Sequence, residues 1–196
     1  MKIAIGGSAA NPPHIGHKKL VGAVVATGEF DQVRWTVSGD RPDKPGMIAS
    51  RVRWEMGKLL FANNENVSVL YETECAVPTV VVIENLKQCY PDVEIVWYCG
   101  ADHFVPREQF DGKCDVLGFW NEGEYLFENQ KFLIIPRRGI NMNTLQLPSD
   151  YKILDVEIPE ISSTDIRNRI KQGKFVNELT ECEIVKYIQN NKMYQK

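Results

Sequence analysis

The sequence predicts an α/β protein, a doubly wound and mostly parallel sheet with helices on both faces and a small helical segment at the carboxyl end. Three observations predict it. Short apolar, β-branched runs alternate with segments whose apolar residues recur at helical spacing, and that alternation builds parallel βαβ units. Glycine, proline and polar clusters punctuate the junctions. The 196 residues, 43% hydrophobic and 25% charged, can bury one sizeable core. Residues 1–196 are therefore read as a single domain, with a C-terminal helical subregion over about 161–196.

Lys2 to Gly6 reads as a short buried strand, and Gly6 to Pro13 as the Gly/Ala/Pro-rich turn after it. A helix follows from about Ile15 to Ala26, because Leu20, Val21, Val24 and Val25 fall on one side. Gln32 to Val37 is a β-branched strand. Ser38 to Gly46 is a polar loop with Arg41, Pro42, Lys44 and Pro45. A helix from about Ile48 to Phe61 and a strand from Val67 to Tyr71 come next. Pro78 to Cys89 is helical by position, with proline in its first turn, although Val80-Val81-Val82-Ile83 favours strand on propensity. Val93 to Cys99 is a strand running into Gly100-Ala101-Asp102-His103-Phe104. Pro106 to Gln130 is the least regular stretch and reads as an insertion over the site. Lys131 to Ile135 is a strand ending at Pro136-Arg137-Arg138-Gly139, and Ile153 to Val156 adds another. Two helices close the chain. Hydroxyls at Ser162-Ser163-Thr164 cap the first. Thr180 and Glu183 stand in capping-box spacing at the second, with Ile184, Val185 and Ile188 on one face.

A net charge of -3 argues against a nucleic-acid-coating protein but leaves room for a small anionic ligand, which needs only local positive charge. The opening apolar run is too short for a signal peptide or a membrane span. The expected partners therefore include no nucleic acid and no membrane, and a homo-oligomer is left open. The five cysteines show no CxxC pair, which reads as reduced, mostly buried thiols in a cytoplasmic protein. No HExxH, zinc-type Cys/His set or serine nucleophile elbow appears.

In such sheets ligands bind beyond the carboxyl ends of the strands, near a switch in strand order. Three motifs fall there: the turn after strand one, Gly100-Ala101-Asp102, and Arg137-Arg138. Glycine in the turn lets a ligand approach the backbone, and the helix behind it aims free N–H groups at that space. His14 and His17, three apart, share one side of the first helical turn, and Gly16 between them leaves room for a phosphate. Imidazole N–H donors suit the charge that develops at phosphorus in phosphoryl transfer. Alone, the pair fits a capped helix end as well as a phosphate site. The same holds for Ser162-Ser163-Thr164 with Arg167, where hydroxyls and a guanidinium one turn in either cap a helix or grip phosphates.

His14-Ile15-Gly16-His17 resembles the signature of the T/HxGH nucleotidyltransferase superfamily. Ile161-Ser162-Ser163-Thr164-Asp165-Ile166-Arg167 resembles the ISSTxxR motif of nicotinamide/nicotinate mononucleotide adenylyltransferases. Gly7 to His17 lines up without a gap with that family's GG(S/T)F(D/N)PxHxGH, Gly100-Ala101-Asp102 with its G(A/S)D, and Pro136-Arg137 with its strand-end arginine. Trp120-Asn121-Glu122 resembles the W(N/K)E of the animal-type enzymes, whose Trp stacks on the pyridine ring. The ungapped match puts Ser8 where the family has its second Gly and Ala10 where it has Phe. Aligning Gly6-Gly7 instead requires one extra residue before His14. Phe110 stands where bacterial relatives often carry Trp.

The resemblance implies a Rossmann-like enzyme that joins AMP from ATP to nicotinate or nicotinamide mononucleotide, releasing pyrophosphate. It implies His14, His17 and Arg167 as catalytic residues. It implies Gly7, Ser8, Ala9, His14, Gly16, His17, Gly100, Asp102, Arg137, Ser162, Ser163, Thr164 and Arg167 around ATP. Lys44, Thr79, Phe110 and Trp120 would meet the mononucleotide, with Mg²⁺ carried mainly by the ATP phosphates and no protein metal ligands. A nucleotidyltransferase for another phosphorylated acceptor and a nucleotide-binding regulator without catalysis are the alternatives.

Overall fold

The computed structural model describes residues 1–41, 43–44 and 46–195, so Pro42 and Pro45 of the polar loop lie outside the described residues. Six strands form one sheet: β1 (Lys2–Ser8), β2 (Gln32–Val37), β3 (Val67–Tyr71), β4 (Glu94–Gly100), β5 (Lys131–Ile135) and β6 (Asp150–Ile153). Every neighbouring pair is parallel, in the order β3-β2-β1-β4-β5-β6. Parallel strands need crossovers, and the helices supply them. They are α1 (Ile15–Ala26), α2 (Ser50–Leu60), α3 (Thr79–Cys89), α4 (Asp115–Gly118), α5 (Gly123–Asn129), α6 (Ser163–Lys171) and α7 (Cys182–Asn190).

Side chains alternate across the strands, so a sheet covered on both faces must be apolar at successive positions. In β1 Ala4 faces one core and Ile5 the other; β4 divides Val96 and Tyr98 from Ile95, Trp97 and Cys99; β5 divides Leu133 and Ile135 from Phe132 and Ile134. One core holds Val21 and Val24 of α1, Met56 and Leu60 of α2, and Ile184 and Ile188 of α7. The other holds Val80, Ile83 and Leu86 of α3, Val116 of α4 and Leu126 of α5. The chain steps outward from β1 through β2 to β3, then crosses to β4 on the far side of β1. The order reverses between β1 and β4, and a crevice opens beyond their carboxyl ends.

Several boundaries differ from the sequence expectation, each for a physical reason. β1 does not end at Gly6; Gly7 and Ser8 still pair with Thr36 and Val37. A β-carbon at Gly7 would press to 2.5 Å from the Thr36 carbonyl, so glycine here serves close strand approach rather than a turn. α2 begins at Ser50 instead of Ile48, because the Ile48 carbonyl is taken by Arg53 Nε at 2.6 Å. The last strand spans Asp150–Ile153, not Ile153 to Val156; Leu154 N makes a last bond to Ile134 O at 2.9 Å, and Leu154 and Val156 pack against the α1 core. Thr180 does not cap α7: its hydroxyl donates to Pro13 O at 2.9 Å, and Glu181 precedes the first turn. The stretch from Pro106 to Gln130 holds a 3₁₀ turn and the helices α4 and α5. The thiols are not mostly buried: Cys99 and Cys114 are inside, whereas Cys75, Cys89 and Cys182 are exposed. Among the described residues, no helix is long and apolar enough to cross a membrane.

Candidate active site

The turn from β1 to α1 is fastened from a distance. The Ala9 carbonyl accepts from Arg53 Nη1 at 2.5 Å, and Asn11 O accepts from Arg167 Nη1 at 2.6 Å. Pro12 O accepts from the Ser163 hydroxyl at 2.8 Å, and Pro13 O from Thr180. The Asn11 side chain is buried and its Oδ1 accepts from the Tyr194 hydroxyl at 2.7 Å. A turn with no ladder of its own thus has its carbonyls satisfied by α2, α6 and the carboxyl-terminal segment. Ala10, at φ 48°, sits in the left-handed region that non-glycine residues rarely adopt, and these bonds hold it there.

His14 and His17 open α1 as a stacked pair, ring centroids 3.7 Å apart, with His17 resting on Trp35. The His14 ring folds over Gly16, where a β-carbon would lie 3.0 Å from it, so the glycine makes space for the imidazole itself. His17 Nδ1 accepts from the His14 backbone N–H at 3.2 Å, which places the hydrogen of a neutral His17 on Nε2. Burial, seconded by the charge of Arg137, lowers the His14 pKa to about 4. Burial, then His14 and Arg137, holds His17 well below the ordinary imidazole value. Both rings are therefore neutral donors near pH 7, and His14 Nδ1 is buried without a partner among the described residues.

α6 points its amino end at the same space. Ser162 caps it by accepting from Asp165 N at 3.0 Å. Arg167 Nη2 donates to Thr164 Oγ1 at 3.1 Å. Because the Ser163 hydroxyl is committed to Pro12, the helix mouth offers an anion the backbone N–H groups of Ser163 and Thr164, the Thr164 hydroxyl and the Arg167 guanidinium.

Beyond β4, Gly100 lies under a charged pair. Arg137 Nε sits 2.7 Å from Asp102 Oδ1, and a β-carbon at Gly100 would strike both side chains. All thirteen residues expected around ATP line one cavity of about 790 Å³. Lys44 lines it too, rather than the mononucleotide side; burial lowers its pKa, with Arg41 adding to the effect. A second cavity of about 330 Å³ holds Thr79, Trp97, Phe119 and Trp120. The two share Gly7, Ser8, Arg41, Cys99 and His103. Phe110 lines neither; it stacks on Phe119 at 6.1 Å and covers Gly118.

His103, which the sequence reads as a site-wall or core residue, lines both cavities, as does Arg41, while Arg53 and Tyr194 line neither and fasten the turn from behind. Arg53 is wholly buried and joins Ala9, Ser38 and Ile48 carbonyls to Asp40. A fully buried arginine needs several acceptors, but no local spacing announces where they are. Arg41, on the wall of both cavities, forks onto Asp43 at 2.9 and 2.7 Å.

A family model described as cytidylyltransferase-like matches residues 5–169. A protein of Flavobacterium johnsoniae named "Probable nicotinate-nucleotide adenylyltransferase" is 29% identical over 204 residues, covering 100% of both chains. One of the same name from Carboxydothermus hydrogenoformans is 30% identical over 207 residues, covering 99% of this chain and 98% of that one. Among solved structures, Plasmodium falciparum nicotinic acid mononucleotide adenylyltransferase complexed with NaAD superposes with a TM-score of 0.79 at 19% identity, over 98% of this chain and 97% of that one.

Proposed function

The chain belongs to the cytidylyltransferase-like family of nucleotidyltransferases, and from that premise we propose that it is a nicotinate-nucleotide adenylyltransferase, which joins the AMP part of ATP to the 5′-phosphate of nicotinate mononucleotide and releases pyrophosphate. The observation that carries the reading is the paired cavity. A large polar chamber holds the histidines, the α6 mouth and Asp102; it meets, at Gly7 and Ser8, a smaller chamber walled by Trp97 and Trp120. That is the shape of two nucleotides meeting at their phosphates.

The acceptor phosphate attacks the α-phosphorus in line. A phosphate dianion is already ionised near neutral pH, so neither an enzyme nucleophile nor a general base is needed. The bond from the acceptor oxygen to phosphorus forms as the bond to pyrophosphate breaks. Neutral His17 donates from Nε2 to the α-phosphate oxygens, with His14 beside it, and neither gives up a proton. Arg167, Thr164 and the first N–H groups of α6 hold the β- and γ-phosphates. Asp102 and Gly100 shape the nucleoside end, and Ser8 lies between the chambers.

Among the described residues, no group of three His, Cys, Asp or Glu side chains could hold a metal ion. That donor set fits a Mg²⁺ ion carried by triphosphate oxygens and water. A Mg²⁺ ion bound so would supply charge neutralisation at the leaving pyrophosphate.

Incubation with Mg-ATP and each pyridine mononucleotide, following pyrophosphate release, tests the reading. Release with nicotinate mononucleotide is expected, and His17→Ala should slow turnover about 10²–10³-fold. Absence of release with either pyridine nucleotide sinks the assignment and favours another acceptor or a non-catalytic regulator.

A further inference from the structure

We infer that His103 selects the acidic form of the acceptor, setting its open ring nitrogen against the pyridine carboxylate; this rests on the adenylyltransferase reading above. His103 stands on the wall that the two cavities share. It lies beside Trp120, ring centroids 5.4 Å apart and tilted 64°, so it stands near the rim of a flat ring laid on that indole.

The imidazole is held from behind. Its Nδ1 lies 3.2 Å from Asp115 Oδ2, and a carboxylate there requires the hydrogen on Nδ1. The chain offers Nε2 no partner among the described residues, and the side chain remains 31% exposed, so that nitrogen is open to a ligand. Asp115 is shared with Arg107. Arg107 Nε meets its Oδ1 at 2.5 Å and Nη2 its Oδ2 at 3.3 Å, while Nη2 also donates to the Asp102 carbonyl at 3.2 Å. Burial works to raise the Asp115 pKa, and the bonds from His103 and Arg107 outweigh it. Arg107, Asp115 and His103 thus form one hydrogen-bonded chain that ends at the cavity with the imidazole.

The other charged groups of the small cavity are engaged elsewhere. Arg41 is forked onto Asp43. Glu72 Oε2 accepts from Gly39 N and Val77 N at 3.0 and 3.1 Å. Among the described residues, an incoming carboxylate therefore meets an uncommitted ring nitrogen at His103. A carboxylate there can enter a charge-assisted hydrogen bond with the ring, which an uncharged amide cannot.

The test compares kcat/KM for nicotinate and nicotinamide mononucleotide in the wild-type chain and in His103→Gln and His103→Asn. The substitutions should lower the nicotinate value about tenfold, the size of one charge-assisted hydrogen bond. The nicotinamide value should move less than about twofold and the KM for ATP should hold, which also reports an intact fold. Asp115→Asn should move the acceptor ratio in the same direction. An unchanged ratio, or a parallel fall with both acceptors, overturns the role of His103 while leaving the activity standing. A wild-type chain that prefers nicotinamide mononucleotide overturns it too. A wild-type chain inactive with both acceptors removes the adenylyltransferase reading itself.

Discussion

The two chambers of the cleft are built differently. The larger is assembled from the ends of regular elements: the carboxyl ends of β1, β4 and β5 and the amino ends of α1 and α6. The smaller is walled largely by the loops after β2 and β3, the start of α3 and residues around α4, with Gly7 and Ser8 from β1 and Trp97 and Cys99 from β4. Strand ends and helix starts present unpaired backbone groups by their nature, so phosphate chemistry follows from local structure. A pocket for a flat ring needs side chains brought together by long-range packing, and no local rule places them.

Arg53 ties the two halves together, and removing it is the severest way to break the comparison. It grips Ala9 on the large-chamber turn and Ser38 on the wall of the small one. Arg53→Ala leaves these carbonyls without their donor inside the core and should cost about 3–5 kcal/mol, measured by urea unfolding. A loss under about 1 kcal/mol would mean that the chambers keep their shapes independently.

The halves should also respond to pH with opposite sign. The His14 pKa falls from 6.5 to about 4 on folding. Above pH 6.5 both states are neutral and stability is independent of this group. Between pH 6.5 and about 4 the unfolded chain takes up a proton that the folded chain refuses, so stability drops as pH falls, by roughly 3 kcal/mol at the end of the window. His17 acts in the same direction. Glu72, in the small chamber, has its pKa raised by burial, against the bonds from Gly39 and Val77. Its contribution is complete below the unfolded glutamate pKa and is lost as pH rises through its folded value. Melting temperatures across pH, for wild type, His14→Gln and Glu72→Gln, read the two slopes separately. His14→Gln should flatten the acid limb; an unaltered limb would place the acid sensitivity outside the large chamber.

Legibility in the sequence follows the same division. β2, β3, β5 and α1 have the bounds that their apolar runs predict. His14, Gly16, His17, Gly100, Asp102 and Ser162, Ser163, Thr164 and Arg167, singled out in the sequence at element ends, line one cavity. Leu154 and Val156 misled, since an apolar run records burial and not ladder pairing. Thr180 misled because a hydroxyl that fits a cap was claimed by Pro13, far away in sequence. Arg53 and His103 carried their partners 44 and 12 residues away, at Ala9 and Asp115, where spacing is silent.

The smallest predicted effect is the sharpest discriminator inside the small chamber. Phe110 and Trp120 are both aromatics near the same sequence landmark, and residue type does not separate them. The fold does: Trp120 lines the cavity beside Thr79, while Phe110 is turned onto Gly118 and Phe119. An aromatic stack is worth about 0.5–1.5 kcal/mol beyond the area it buries, so Trp120→Ala should raise the KM for the mononucleotide about threefold to tenfold and leave the KM for ATP unchanged. Phe110→Ala should cost stability instead, with the mononucleotide KM within about twofold of wild type. If the two substitutions exchanged these effects, the ring would be stacking on the residue that now lies behind the wall, and the division between ring-reading loops and phosphate-reading element ends would have to be redrawn around α4.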